Sequence, residues 1–293
     1  MVSVIILAYN RCAEALLTIQ KIKHLKADSP FELEIIVVDN ASVDGTSKEI
    51  AFKHPDVTLI TRQANSGVAG WNDGFRVAKH KYLLVLDDDS HVENGLEEAV
   101  QHLEQHPEIG ILGFNIVDQQ LKGDPLLDPE KAWKHLEKIP GFIGCGALIR
   151  KEVYERIGGF AEWLFIYTHE FDYSIRALDA GYLTVFFEKC NVIHRASKIN
   201  RTNKRLRIFG TRNELAIVHK HFAKHRLKYL SRTFFNNLKF MKREGVLSGY
   251  YIFLGTIAFL KLRRNLKHTP VSLDVQNFYS KNFWSTKPVI GKQ

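Results

Sequence analysis

The chain has 293 residues, 45% of them hydrophobic, which suits one large globular unit or two unequal ones. Its net charge of +9 hides an imbalance. Residues 1–194 carry 19 Lys+Arg against 29 Asp+Glu, whereas residues 195–267 carry 19 against only Glu214 and Glu244, a net of +17. Cys12, Cys145 and Cys190 are scattered and odd in number, which argues against a disulfide framework or a zinc site; each reads as a small core hydrophobe in a reducing compartment.

Val2–Ala8 is a β-branched apolar run without a charged leader and reads as a first buried strand, not a signal peptide. Ala13–Leu25 has helical spacing, Leu33–Val38 is a second strand, and Asp39–Gly45 leads into a helix over Thr46–Lys53. Val57–Thr61 and Tyr82–Leu86 predict strands around a helix over Gly70–Lys79. Glu93–His106 predicts a helix and Ile109–Val117 another strand. Alternation of this kind predicts a doubly wound α/β sheet over the first ~120 residues. Lys122–Pro140 reads as a loop with one short helical stretch. Ala147–Ile149 and Thr184–Phe187 read as further strands around a helix over Phe171–Ala180.

From Thr202 onward the chain is helical and basic. Val246–Leu260 is an apolar run of 15 residues followed by Lys261-Leu-Arg-Arg264, shorter than the about 20 residues needed to span a bilayer. Two readings stand: an interfacial helix with a basic collar, or a core helix. Such a basic tail predicts a polyanionic partner, phospholipid or nucleic acid. Nucleic acid leaves the apolar run without a purpose, whereas an anionic membrane surface accounts for both features. We therefore expect no nucleic-acid partner.

Ligands of doubly wound sheets bind at the carboxyl ends of the strands. The residues there are Tyr9-Asn10-Arg11, Asp39-Asn40, Asn65-Ser66-Gly67 and Asp87-Asp88-Asp89. Three carboxylates closing an apolar strand repel one another unless a cation is present. Their hard oxygens suit Mn2+ or Mg2+, which bridges a diphosphate.

In order and spacing the chain resembles the family-2 inverting glycosyltransferases with the A-type nucleotide-sugar fold (GT-A), especially their bacterial rhamnosyltransferase-like branch. The resemblance rests on Val4-Ile-Ile-Leu-Ala-Tyr-Asn10, Ile36-Val-Val-Asp-Asn-Ala-Ser42, Asn65-Ser-Gly67, Gly70-x-Asn72-x-Gly74 and Leu86-Asp-Asp-Asp89. It continues through Gly144-x-Gly-Ala-Leu-Ile-Arg150, Ile157-Gly-Gly-Phe160, His169-Glu-Phe-Asp172 with Arg176, His194 and Arg212-Asn213. What it implies is a single Rossmann-like mixed α/β sheet flanked by helices, with a C-terminal basic helical extension. The catalytic domain would span residues 1–222, with a nucleotide-binding half over 1–120 and an acceptor half over 121–222. A membrane-associating tail would occupy 223–293.

The resemblance further implies site roles. Tyr9, Asn10, Asp39 and Asn40 would meet the base and ribose, and Asn65, Gly67, Gly70 and Asn72 would close on the nucleotide. Asp87 and Asp89 would hold the cation with His194, for which a purely structural role is the alternative, while Asp88 would face the ribose or sugar. Gly144–Gly146 would let the backbone approach the sugar. Glu170 falls in register with the family's base and Asp172 with its second acid, although the family commonly has Glu-Asp where this chain has His169-Glu170. Both are catalytic candidates, with Glu170 favoured and an Asp172–Arg176 pairing as the structural alternative. Trp163 and His169 are acceptor-side candidates, a partly buried aromatic being the other reading of Trp163.

The resulting expectation is transfer of a sugar from a dTDP- or UDP-sugar to a hydroxyl of a glycan or lipid-linked acceptor in cell-surface polysaccharide synthesis. The enzyme would be peripheral at the cytoplasmic face of the cell membrane, and a homodimer is compatible. A nucleotidyltransferase is the nearest rival, but Ala8–Ala13 lacks the glycine-rich phosphate loop that chemistry needs. A degenerate transferase that binds donor without turnover would not need to keep the full acidic triad and Glu170.

Overall fold

The computed structural model describes residues 1–119, 137–195 and 202–282. Within them lies one eight-stranded mixed sheet flanked by helices. Its strands are β1 (Val2–Ala8), β2 (Leu33–Asp39), β3 (Thr58–Thr61), β4 (Tyr82–Asp87), β5 (Ser90–Asn94), β6 (Ile109–Asp118), β7 (Ala147–Arg150) and β8 (Leu183–His194). The order is β3-β2-β1-β4-β7-β6-β8-β5. β3, β2, β1 and β4 run parallel; β7 is antiparallel to β4 and β6, and β5 to β8. Val4, Ile6 and Ala8 enter one core layer with Ile19 and Ile22 of α1 (Cys12–Asp28), and Ile5 enters the other with Trp71, Phe75 and Phe160. Burial on both faces is why the strand reads as an unbroken apolar run.

Two stretches differ from the sequence reading. The helix expected from Glu93 starts at Leu96 (α4, Leu96–Gln105), because Gly95 adopts a left-handed φ of 81° against the Lys189 carbonyl. Ser90–Asn94 then extends as β5, paired with β8 from Ser90 opposite His194. The strand read over Thr184–Phe187 runs on to His194 as β8, which shifts register against β6 between Phe114 and Asn115. The remaining helices of this region are α2 (Thr46–Lys53), α3 (Trp71–Val77), α5 (Lys151–Ile157) and α6 (His169–Asp179). Most of the loop read over Lys122–Pro140, with its helical stretch, lies outside the described residues.

The C-terminal part comprises α7 (Asn203–His221), α8 (Arg226–Leu238), α9 (Met241–Glu244), α10 (Val246–Leu262) and α11 (Leu273–Asn282). Thr202 caps α7 by accepting the Arg205 N–H at 3.2 Å. Beyond residue 222 the chain folds back, packing Val271, Val275 and Tyr279 against Leu164, Ile175, Ile217 and Phe222. α10 buries Ile252, Gly255 and Phe259, and a Cβ on Gly255 would stand 2.6 Å from the Ile208 carbonyl of α7. Its other side exposes Val246, Leu247, Tyr250, Phe253 and Leu260. The helix thus shares features of both readings, packed on one face and bare on the other. No helix among the described residues is long and apolar enough to cross a membrane.

Candidate active site

β4 carries Asp87 to its carboxyl end, and Asp88 and Asp89 form the turn into β5. The turn is held through its backbone. Asp87 donates its N–H to Ser90 Oγ at 3.0 Å, and the Thr18 hydroxyl donates to the Asp88 carbonyl at 2.6 Å. The Arg195 guanidinium donates to that same carbonyl at 3.1 Å and pairs with Glu14 at 2.5 Å. Asp88 and Asp89 are fully buried, Asp87 only partly. Asp88 accepts the Tyr9 N–H at 3.0 Å and an Arg11 ion pair at 3.0 Å; Arg11 also lies 2.5 Å from Asp89. Burial raises Asp88 well above the ordinary carboxylate range against the pull of Arg11, and the neighbouring Asp89 and Asp87 add to the rise.

His194 ends β8 opposite this turn. Its Nε2 is 3.4 Å from Asp89 and its Nδ1 is 3.5 Å from Asp118. One ligand atom each from Asp87, Cys145 and His194 lie within 4.8 Å of one another. One oxygen, one sulfur and one nitrogen so placed can hold a divalent cation of the Mn2+ kind; Asp89, the other carboxylate the sequence implied, is paired with Arg11 and stands 3.4 Å from His194, outside that group. Arg11, Asp118, Cys145 and Arg195 were not among the sequence candidates. Arg11 carried a signal, being in a crevice loop, and so did Cys145, which lies inside the Gly144-x-Gly146 motif.

The nucleotide-side loops interlock. Asn10 donates its N–H to Ser42 Oγ at 2.9 Å and accepts the Val43 N–H at 2.8 Å. Asp39 is buried and accepts the Ser42 N–H at 3.0 Å and the Ser47 hydroxyl. Asn40 donates to Asn65 Oδ1 and the Gly67 carbonyl, both at 3.0 Å, and accepts the Ser66 N–H at 3.1 Å. Asn72 holds the backbone of Phe160 with both ends of its amide, each at 2.8 Å. Asn40 and Asn72, which the resemblance assigns to holding the base and ribose and to closing on the nucleotide, thus also fix the loops of the crevice. Gly67 is left-handed at φ 62°, and a Cβ there would overlap the Phe165 carbonyl at 1.7 Å. Gly70 lies against Leu7 and Asn40.

On the acceptor side, Glu170 accepts the Gly144 N–H at 3.2 Å and lies 3.3 Å from Nδ1 of the buried His169. Any side chain at Gly144 would press on both, with a Cβ 2.6 Å from His169 Nε2 and 3.0 Å from Glu170 Oε1. Gly146 instead faces Ile116 and Val192 in the core. Asp172 is fully buried, 2.9 Å from Arg176 and 2.8 Å from His221. Burial alone would raise its pKa, but Arg176 and His221 outweigh that and hold it well below the usual carboxylate range. Asp172 therefore ties α6 to α7, and Trp163 is partly buried among the hydrophobics joining α7 to the tail.

Phe165, Tyr167 and Thr168, just before Glu170, are all left-handed, with φ of 60°, 66° and 58°. Such residues cost of order 1 kcal/mol each and persist only when their surroundings fix them. Here the Asn213 amide nitrogen reaches the carbonyls of Leu164, Ile166 and Tyr167 at 3.0, 2.7 and 2.8 Å. Arg212 donates to the carbonyls of Trp163 and Leu164, and Phe165 accepts the Val68 N–H at 2.8 Å. The Arg212-Asn213 pair is the clamp of this strained loop.

The family model described as glycosyl transferase family 2 matches residues 3–158. An uncharacterized glycosyltransferase of Haemophilus influenzae is 27% identical over 201 residues, 64% of this chain and 65% of that protein. An uncharacterized protein of Mycobacterium tuberculosis is 34% identical over 85 residues, 27% of this chain and 25% of its own length. The chain thus spans less than two thirds of either curated relative. Among solved structures, the mannosyltransferase PcManGT of Pyrobaculum calidifontis, in complex with GDP-Man and Mn2+, superposes with a TM-score of 0.59 at 20% identity. That likeness covers 96% of this chain and 78% of the other. S. aureus TarS 1–349 in complex with UDP-GlcNAc also gives 0.59, at 14% identity over 91% and 83% of the two chains. At these identities both likenesses speak to the fold.

Proposed function

The chain belongs to glycosyl transferase family 2, and from that premise we propose a metal-dependent, inverting transfer of a sugar from a UDP- or dTDP-sugar to a hydroxyl acceptor. A glycan or lipid-linked acceptor of the cell surface is the class we favour. One observation carries the reading. Gly144 and Cys145 are consecutive, the first donating to Glu170 and the second placing its thiol beside Asp87 and His194. The acidic turn and the candidate base therefore border a single crevice.

A divalent cation held by Asp87, Asp89 and His194 would supply positive charge to the leaving diphosphate. Glu170, steadied by Gly144 and His169, takes the proton of the acceptor hydroxyl at its carboxylate. The acceptor oxygen bonds to the anomeric carbon as the bond from that carbon to the phosphate oxygen breaks. Attack from the face opposite the diphosphate inverts the configuration. A panel of nucleotide sugars with Mn2+ and Mg2+ tests this: turnover should require the cation, vanish in excess chelator and vanish in Asp89→Ala. Full activity in chelator rejects the metal-dependent reading.

The bare face of α10 supports attachment at the anionic cytoplasmic face of a membrane. Lys242, Arg243, Lys261, Arg263 and Arg264 are exposed at its two ends, offering charge attraction beside apolar insertion. Sedimentation with anionic vesicles should show binding at low salt, weakened but not abolished at high salt, since screening acts beyond a Debye length of about 8 Å at physiological ionic strength. Chains that stay in the supernatant at low salt would instead give this face to packing or dimerisation.

A further inference from the structure

We propose that the Cys145 thiolate is itself a ligand of the cation. It would widen the preference of this site for thiolate-accepting cations such as Co2+ and Zn2+ over Mg2+. The inference rests on the reading of the acidic turn as a cation site and adds to it a ligand of different chemistry. Cys145 sits in the turn before β7, where the Gly146 N–H donates to the Ile143 carbonyl at 3.1 Å. Its residue is 5% exposed, between Gly144 and Gly146, neither of which has a side chain to shield the sulfur. A core role needs only a sulfur among apolar neighbours. The structure goes further and sets that sulfur within 4.8 Å of ligand atoms of Asp87 and His194.

Three side chains leaving further positions to the substrate are the pattern of a catalytic cation site. Asp87, Cys145 and His194 converge as one oxygen, one sulfur and one nitrogen, with the Asp89 carboxylate 3.4 Å from His194 at the edge of the set. Sulfur and imidazole nitrogen suit Co2+ and Zn2+, whereas Mg2+ requires oxygens in near-octahedral array and sheds its waters reluctantly. Burial of Cys145 and His194, 5% and 3% exposed, leaves little room for a hydrated Mg2+ on that side. Coordination exchanges the S–H proton for the cation, so one proton is released to solvent as the sulfur–metal bond forms.

The test is a Co2+ titration of the full-length protein, reading the sulfur-to-cobalt charge-transfer absorption in the near ultraviolet together with the dissociation constant. Wild type should show the band, which needs no variant to interpret. Cys145→Ser should lose it and bind Co2+ at least about tenfold more weakly, the lower end of what loss even of an outer partner costs. Mg2+ affinity should change much less. Cys145→Ala should behave like Cys145→Ser, and a far-ultraviolet dichroism spectrum matching wild type certifies the fold of each. Saturating Co2+ without the band, or equal Co2+ affinity in the serine variant, overturns the sulfur ligand while leaving an oxygen-and-imidazole cation site standing. No binding of any divalent cation, even with UDP present, overturns the cation reading as well.

Discussion

Glu170→Gln lowers kcat by about 10²- to 10⁴-fold while donor affinity stays within about twofold. Glutamine keeps an oxygen to accept the Gly144 N–H, now at 3.2 Å, so the loop geometry survives. It loses only the capacity to take a proton, and general-base help of this kind is worth about 3–5 kcal/mol of barrier. In the proposed reading the donor would lie against the loops of Tyr9, Asp39 and Asn65 and not against Glu170, so its binding should be spared. Steady-state kinetics against acceptor, with a separate titration of nucleoside diphosphate, separates the two quantities. Near-normal turnover in this variant would move the base to another group.

The second large effect concerns stability. Asp172→Asn should destabilise the fold by about 3–5 kcal/mol, the range for breaking a buried charged pair by removing one partner, and lower Tm by roughly 10 °C. Arg176 and His221 would both face an uncharged amide at a fully buried position. The pH dependence follows from the depressed pKa. The carboxylate contributes fully above the unfolded-state value of about 4 and progressively less as pH falls through and below it. Wild-type stability should therefore fall on acidification below about pH 5, and the variant should lose this component of the slope. Thermal unfolding at stepped pH gives both readings. Turnover per folded molecule should stay within a few-fold; an unchanged Tm with abolished turnover would make Asp172 a chemical participant.

Buried parallel strands carry a strong signal, so β1, β2 and β4 could be read from runs of Val, Ile and Leu, and the residues following them mark one sheet edge. β5 could not be read that way. Ser90–Asn94 alternates weakly and is shaped by pairing with β8, which a local window does not see. The same distance in sequence hid the partners around the acidic turn. Asp118 comes from β6 with no local mark of its place beside His194, and Cys145 comes from the turn before β7, where the flanking glycines point to the sugar but not to the cation. Asn40 and Asn72 show the same limit. Their bonds to the Gly67 and Phe160 backbone, which steady the crevice loops, join residues 27 and 88 positions apart and leave no local mark in the sequence.

The pairing of β5 with β8 has a consequence for how the site comes into being. The three aspartates are adjacent in the chain, but the turn that carries them is gripped on one side by β4 and on the other by a strand about a hundred residues further on. Contacts of such sequence separation form late in folding, since their loops must close before they are rewarded. A nascent chain ending at residue 158, where the family match stops, already possesses the acidic residues yet lacks Glu170, His194 and the strand that fixes the turn. Fragments of that length should therefore neither discriminate among cations nor hold donor. On the proposed reading, competence would wait for β8 to dock and bring His194 to a turn synthesised long before it.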